Sequence, residues 1–214
     1  MEHIGPYELG VEIGRGLHGV VYRARDPRDA TEVALKVVAL PPSTSAAAAR
    51  EVLARFEREV ALTASLDHPG IAAVRDAGVD GTKLWMAMEL VGGTPLSEFA
   101  DPRHRLEPRR VARLVKAAAE VLAHIHSRGI VHRDVTAENL VLIAGDRVTL
   151  LDFGIARLAD STLTVTGEFL GTPRSISPEQ IRGEKPGPAA DQFALGVLAY
   201  HLLTGAWPEV TDVP

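Results

Sequence analysis

Hydrophobic and polar residues alternate with a period of two along much of the first ninety residues. Residues 7–13, 20–25 and 32–38 show this pattern, and residues 71–79 and 83–89 repeat it. Turns rich in Gly, Asp and Pro separate these segments. The pattern predicts a five-stranded antiparallel sheet.

One helix interrupts the predicted sheet, and longer helices follow it. Residues 46–65 are rich in Ala, Glu and Arg, and apolar residues recur on one face. Residues 108–128 begin with proline and stop before a glycine, residues 191–204 form the last clear helix, and short strands over 140–143 and 148–151 lie between these two helices. We expect one α+β domain, 1–214, with a mixed lobe (1–91) and a mainly helical lobe (92–214).

Composition and charge narrow the function classes. The 214 residues include no cysteine, which excludes disulfides, a thiolate nucleophile and a Cys-ligated zinc. The net charge is −5 and there is no run of Lys or Arg, which argues against nucleic acid or an anionic membrane as the main partner. The first residues lack a secretory leader pattern, and no apolar stretch is long enough to span a bilayer. We expect a cytoplasmic protein with no membrane segment in this chain.

A glycine-rich segment lies between the first two predicted strands. Residues 14–21 read Gly-Arg-Gly-Leu-His-Gly-Val-Val, and the absent side chains allow backbone N–H groups to approach phosphate oxygens. A plain hairpin turn has a similar composition, and a dinucleotide-binding fold would place a helix after the glycines. Strand patterns on both sides favour a flap over a nucleotide.

Lys36 lies in the otherwise apolar third strand, in the sequence Val-Ala-Leu-Lys. An isolated lysine at such a position usually extends to water. Its place after the glycine segment favours a contact with nucleotide phosphates instead. Glu59, in the following helix, is the candidate partner for its ammonium group.

Residues 132–139, His-Arg-Asp-Val-Thr-Ala-Glu-Asn, carry the strongest chemical signal. Asp134 and Asn139 provide an acid and an amide within one loop, which can hold a hydroxyl group and a metal ion. Asp152, followed by Phe and Gly, adds a second oxygen ligand for the same hard cation. Phosphoryl transfer depends on such positioning and charge neutralisation.

Three histidines on or near this loop are alternative candidates for metal ligands. His124 and His126 are two residues apart on a helix, so their side chains point to different faces and a shared metal site is not expected. His132 is expected to be a packed structural residue.

Taken in order, these segments resemble a eukaryotic-type (Hanks-type) serine/threonine protein kinase, and more narrowly its bacterial members. The resemblance runs from about residue 7 to residue 208 and includes Ser-Pro-Glu at 177–179, where the family has Ala-Pro-Glu. It implies a bilobal kinase fold and transfer of the γ-phosphoryl group of ATP to Ser or Thr hydroxyls of a protein substrate.

The resemblance implies a role for each matching residue. Asp134 accepts the hydroxyl proton, Lys36 holds the α- and β-phosphates with Glu59 as its partner, and Asn139 and Asp152 bind Mg²⁺, or Mn²⁺ in its place. Met88 matches the gatekeeper, with Glu89 and Val91 in the adenine-binding hinge. The implied nucleotide contacts are Gly14, Arg15, Gly16, Gly19, Val21, Ala34, Lys36, Met88, Glu89 and Val91.

The resemblance also implies regulation. Arg133 matches the arginine that receives a phosphate on the activation loop, and Thr162, Thr164 and Thr166 are the candidate autophosphorylation sites in that loop. The alternative is a merely solvated threonine-rich loop. Thr172 matches the residue that touches the catalytic aspartate in Ser/Thr kinases, and Asp191 matches the residue that ties down the catalytic loop backbone.

The sequence departs from the family in two respects. Thr136 stands where Ser/Thr kinases carry a lysine that contacts the γ-phosphate, so slower transfer is expected. The chain stops soon after Trp207, so the last helices of the second lobe have no counterpart. We expect a partly exposed apolar surface there, which a homodimer would cover.

Two other functions remain open at this point. One is a nucleotide-binding pseudokinase or scaffold with weak or no catalysis, favoured by Thr136 and the shortened second lobe. The other is a small-molecule phosphotransferase with the same core, which the glycine segment, Arg133 and the Ser-Pro-Glu segment disfavour.

Overall fold

The structure is a computed structural model and describes residues 2–16, 19–100, 106–151 and 175–208. Its contacts divide the chain into two units. Within the described residues the first unit holds 2–16, 19–67 and 72–91, and the second holds 68–71, 92–100, 106–151 and 175–208.

An antiparallel sheet of six strands forms most of the first unit, with strand order β1-β2-β3-β4-β6-β5. The five predicted strands are present, and the additional one is a two-residue strand at the sheet edge. The fifth strand begins later than predicted because Ile71 pairs instead with Leu150 in the second unit. The strands are β1 (His3–Ile4), β2 (Tyr7–Gly16), β3 (Gly19–Arg25), β4 (Glu32–Ala39), β5 (Val74–Asp80) and β6 (Lys83–Glu89).

Helix α1 (Ala46–Ala64) covers one face of this sheet. The Ser45 hydroxyl accepts a hydrogen bond from the Ala48 N–H at 3.2 Å, which caps the helix start. Val52 and Phe56 pack with apolar residues of β4 and β6, and the opposite face of the sheet has its own core around Trp85. The central strand β4 is therefore buried on both faces.

The second unit combines helices with a small sheet of order β7-β8-β9. Its main helix buries an apolar stripe that runs from Val111 to Ile125, as the helical spacing predicts. The last helix starts at Pro188, earlier than predicted, because the first turn of a helix tolerates proline. The elements are β7 (Thr94–Pro95), a 3₁₀ turn (Leu96–Phe99), α2 (Pro108–Ser127), β8 (Leu140–Ile143), β9 (Arg147–Leu150), α3 (Pro178–Ile181) and α4 (Pro188–Thr204).

The predicted α+β class is confirmed by this arrangement, an antiparallel sheet with one helix followed by a mainly helical unit. Among the described helices, none combines the length and the apolar character needed to cross a membrane.

A polar network around Tyr7 ties the start of β2 to the β3–β4 turn and to β5. The buried Tyr7 hydroxyl accepts a hydrogen bond from Arg28 Nη2 at 2.7 Å and donates to Asp76 Oδ2 at 3.3 Å. Arg28 also binds Asp26, and this contact lowers the pKa of Asp26 to about 2. Burial, and then the Asp76 carboxylate, raise the pKa of Tyr7 to about 12.

Tyr7 should therefore ionise only at high pH, and its ionisation should destabilise the fold. Because the folded pKa lies above the ordinary value of 10.0, the stabilisation is complete below that pH and is lost as the pH rises through about 12. In a pH titration followed by tyrosinate absorbance, the wild type should show a late ionisation step at about pH 12. Tyr7→Phe should abolish this late step, and Tyr22→Phe should retain it. Identical late steps in both variants would contradict this assignment.

Candidate active site

Asp134 and Asn139 meet in the loop between α2 and β8. Asn139 Nδ2 donates to the Asp134 backbone carbonyl and to Asp134 Oδ2, each at 2.9 Å. Both side chains are half-buried. Because the amide nitrogen of Asn139 is engaged with Asp134, the group that it can offer to a cation is its carbonyl oxygen.

The buried carboxylate of Asp191, in the first turn of α4, holds the backbone of this loop. Its Oδ2 accepts from the His132 N–H at 2.8 Å and its Oδ1 accepts from the Arg133 N–H at 2.7 Å. The side chain of Asp191 is 0% exposed. The predicted tie between Asp191 and the loop backbone is thereby confirmed.

His126 supports the same carboxylate from α2. Its Nε2 lies 2.7 Å from Asp191 Oδ2, and since an ionised carboxylate only accepts, the imidazole is the donor. His124 instead contacts His68 and Arg128, so the two histidines do face different ways. Sequence reasoning missed the role of His126. Its position one helical turn after the buried Leu122 was the available signal.

The loop backbone adopts an unusual conformation at Arg133. Its φ is 68°, in the left-handed region that residues other than glycine rarely adopt. His132 beside it is only 2% exposed, as predicted for a packed residue, and its Nδ1 accepts from the Asp134 N–H at 3.3 Å. Several contacts therefore stabilise the strained backbone at Arg133, directly before Asp134.

Lys36 lies in the first unit, on the face of β4 that packs toward α1. It is 4% exposed, and it pairs in register with Val21 of β3 and Met86 of β6. Ala34 and Met88 belong to the apolar cluster on this face, and Val21 packs against it. The predicted nucleotide contacts Val21, Ala34, Lys36 and Met88 thus lie together, as an apolar surface beside a buried cation.

The glycine segment joins β2 and β3. Gly14 pairs with Val21, Arg15 with Val20 and Gly16 with Gly19, and residues 17 and 18 lie outside the described part of the chain. Gly19 has a φ of 123°, and a Cβ there would collide with the Val37 carbonyl oxygen. The exposed guanidinium of Arg15 binds the Glu12 carboxylate at 2.8 and 2.5 Å.

The predicted hinge starts at Glu89, the last residue of β6. Met88 is buried, Glu89 is exposed and Val91 is half-buried. The Glu89 N–H donates to the Ala73 carbonyl at 2.8 Å, so that amide is already engaged within the first unit.

Several predicted site residues lie outside what the structure describes. Glu59 is part of α1, but its side chain is not among the described atoms. Within the described residues, no group of three or more His, Asp or Glu side chains is placed to hold a metal ion. The oxygen of Asn139 suits Mg²⁺, and its proposed companion ligand falls in the undescribed segment. Outside the described residues lie Asp152, Thr162, Thr164, Thr166 and Thr172.

Comparison with known proteins places this geometry in a family. The sequence model of the family described as protein kinase domain matches residues 7–212. A probable serine/threonine-protein kinase of Streptomyces coelicolor is 38% identical over 98% of this chain and 32% of its own length. Serine/threonine-protein kinase PknA of Mycobacterium tuberculosis is 36% identical over 97% of this chain and 49% of its own.

A third relative, serine/threonine-protein kinase PknB of Mycolicibacterium smegmatis, is 37% identical over 97% of this chain and 34% of its own length. The chain therefore spans about a third to a half of the length of the curated relatives it matches. Because the family match covers nearly all of the sequence, the chain belongs to the protein kinase domain family.

Proposed function

We propose that this chain is the catalytic domain of a serine/threonine protein kinase, which transfers the γ-phosphoryl group of ATP to hydroxyl groups of a protein substrate. The observation that carries the proposal is the loop in which Asn139 orients Asp134 through two hydrogen bonds of 2.9 Å. The relatives named as serine/threonine-protein kinases support this reaction class.

In the proposed reaction Asp134 is the proton acceptor. The substrate hydroxyl oxygen bonds to the γ-phosphorus, the bond from phosphorus to the bridging oxygen breaks with release of ADP, and the hydroxyl proton passes to Asp134. Asn139 keeps the Asp134 carboxylate oriented through its Nδ2, and its own oxygen would be available to a metal ion. When bound, Mg²⁺ neutralises charge on the phosphate oxygens; Asn139 and Asp152 would hold it.

The nucleotide is assigned to the first unit. Val21, Ala34 and Met88 provide an apolar surface that suits a purine ring, and the ammonium group of Lys36 suits the phosphates. At the glycine segment, position 19 has room only for glycine, which suits a flap that approaches phosphates closely. Glu59 is the proposed partner of Lys36.

We further infer that activation-loop phosphorylation regulates the enzyme. Thr162, Thr164 and Thr166 are the proposed autophosphorylation sites, and Arg133 is the proposed receiver of the phosphate, since guanidinium groups bind phosphate oxygens in a bidentate manner. Thr172 is proposed to touch Asp134.

A specific observation favours a second candidate, a nucleotide-binding pseudokinase. Thr136 carries no charge at the position where Ser/Thr kinases have a lysine, so one cation that would stabilise the transferring phosphoryl group is missing. The intact Lys36, Asp134 and Asn139 support the enzyme over this alternative.

The decisive test is phosphorylation by the purified chain. After incubation with Mg-ATP, mass spectrometry should find phosphate on Thr162, Thr164 or Thr166 in the wild type. Asp134→Asn should reduce the rate by about 10²- to 10⁴-fold while ATP binding persists, because only the proton acceptor is lost. Tight ATP binding without phosphate in either protein would favour the pseudokinase.

Restoring the missing cation should accelerate the reaction. Thr136→Lys should raise kcat by about tenfold, the equivalent of about 1.4 kcal/mol of transition-state stabilisation. Thr136→Gln, similar in length but uncharged, is the control and should show no gain. Equal kcat values for the three proteins would mean that another group already supplies the charge.

The hydrogen bonds from the loop backbone to the Asp191 carboxylate should be necessary for stability as well as for catalysis. Asp191→Asn replaces one accepting oxygen with an NH₂ group, so a buried donor loses its partner and the free energy of unfolding should fall by about 1–3 kcal/mol. The matched control is Asp146→Asn, which changes a carboxylate paired with Arg110 and Arg113 at the surface. Urea unfolding should show the larger loss of unfolding free energy for Asp191→Asn. Equal losses in the two variants would contradict a stabilising role of these hydrogen bonds.

A further inference from the structure

Gln180, the third residue of α3, connects the Ser-Pro-Glu segment to the catalytic loop. Its Oε1 accepts from the Ser177 N–H at 3.1 Å and from the Ser177 hydroxyl at 3.0 Å, completing the reciprocal box that starts α3. Its Nε2 lies 3.5 Å from the backbone carbonyl oxygen of Arg133. All three residues belong to the second unit.

The orientation of this amide follows from its partners. The two groups of Ser177 that face the amide are donors, so the atom they meet must be the oxygen. The NH₂ group then necessarily faces the Arg133 carbonyl, which is an acceptor. A distance of 3.5 Å is long for a hydrogen bond, so the contact contributes little to stability.

The contact falls at the most strained point of the loop. Arg133 has a φ of 68°, and its N–H is held by Asp191 at 2.7 Å. Its carbonyl belongs to the same peptide plane as the Asp134 N–H, which His132 Nδ1 accepts at 3.3 Å. Asp191 therefore fixes the peptide plane before Arg133, while Gln180 and His132 hold the two ends of the plane after it.

We propose that Gln180 is a positioning residue, whose side-chain NH₂ group fixes the Arg133 carbonyl and thereby the peptide plane from which Asp134 projects. This inference rests on the proposed kinase function for its effect on catalysis. It makes the start of α3 part of the apparatus that orients the catalytic carboxylate.

The choice of glutamine supports the proposal. The third position of a capping box accepts Glu or Gln equally, because only an accepting oxygen is needed there. The helix start alone therefore does not require an amide. The NH₂ group is what glutamine adds, and its neighbour on that side is the Arg133 carbonyl.

The substitution Gln180→Glu separates the two functions of the side chain. The new carboxylate still accepts both hydrogen bonds from Ser177. Its second oxygen replaces the NH₂ group and faces the Arg133 carbonyl oxygen, and the two acceptors repel each other. The matched control is Gln192→Glu, a change of the same charge at the only other glutamine of the chain, which is exposed on α4. Thermal stability of both variants shows whether the fold is retained.

Two readouts test the inference. Hydrogen exchange of the Arg133 and Asp134 amides, followed by NMR, reports the loop independently of turnover. Steady-state kinetics with Mg-ATP and a protein substrate report catalysis. In Gln180→Glu we expect exchange at these amides to accelerate, and kcat to fall about tenfold with the KM for ATP unchanged, because misalignment of a catalytic group by a fraction of an ångström is costly. Gln192→Glu should match the wild type in both.

The outcomes are distinguishable. Unchanged exchange at both amides in Gln180→Glu would overturn the inference whatever the activity, and accelerated exchange with unchanged kcat would overturn its catalytic part. Accelerated exchange in a protein whose wild type transfers no phosphate would support the contact with Arg133 and overturn the proposed kinase activity instead.

Discussion

The backbone of the loop at residues 132–139 depends on one buried carboxylate. Asp191 accepts two consecutive backbone N–H groups, and a fully buried charge is stable only when such donors surround it. Its place in the first turn of α4 adds the favourable end of the helix dipole. His126, from α2, supplies a third donor. The contact between α2 and α4 thereby fixes the backbone that leads to Asp134.

In the first unit, Lys36 is a buried charged residue within an apolar strand. Strand β4 is buried on both faces, and a leucine or valine at position 36 would continue its apolar pattern without cost. A buried ammonium group is destabilising unless charge or hydrogen-bond acceptors compensate it. A residue that breaks the local pattern at the centre of a sheet is what a functional constraint produces. Lys36 is therefore the residue of this face on which the proposed nucleotide site most depends.

Periodicity predicted the elements that are long enough to show a hydrophobic period and failed for the shortest ones. Helix α2 and strand β4 were predicted closely, since each carries a long uninterrupted pattern. The two-residue strands β1 and β7 and the four-residue helix α3 are too short for any period and depend on tertiary contacts. His126 and Gln180 were missed for a related reason: each acts on a residue more than forty positions away, which local sequence does not reveal.

Thr136 shows why an altered residue need not alter the loop. Its structural role is carried by the backbone, since its carbonyl accepts from the Asn139 N–H at 3.2 Å, and any residue supplies that carbonyl. Asn139 in turn orients Asp134 through its side chain. The half-buried threonine therefore removes a charge from the site while leaving the relation between Asp134 and Asn139 intact. In the proposed reaction the effect of Thr136 is therefore a missing positive charge, and the contacts between Asp134 and Asn139 are kept.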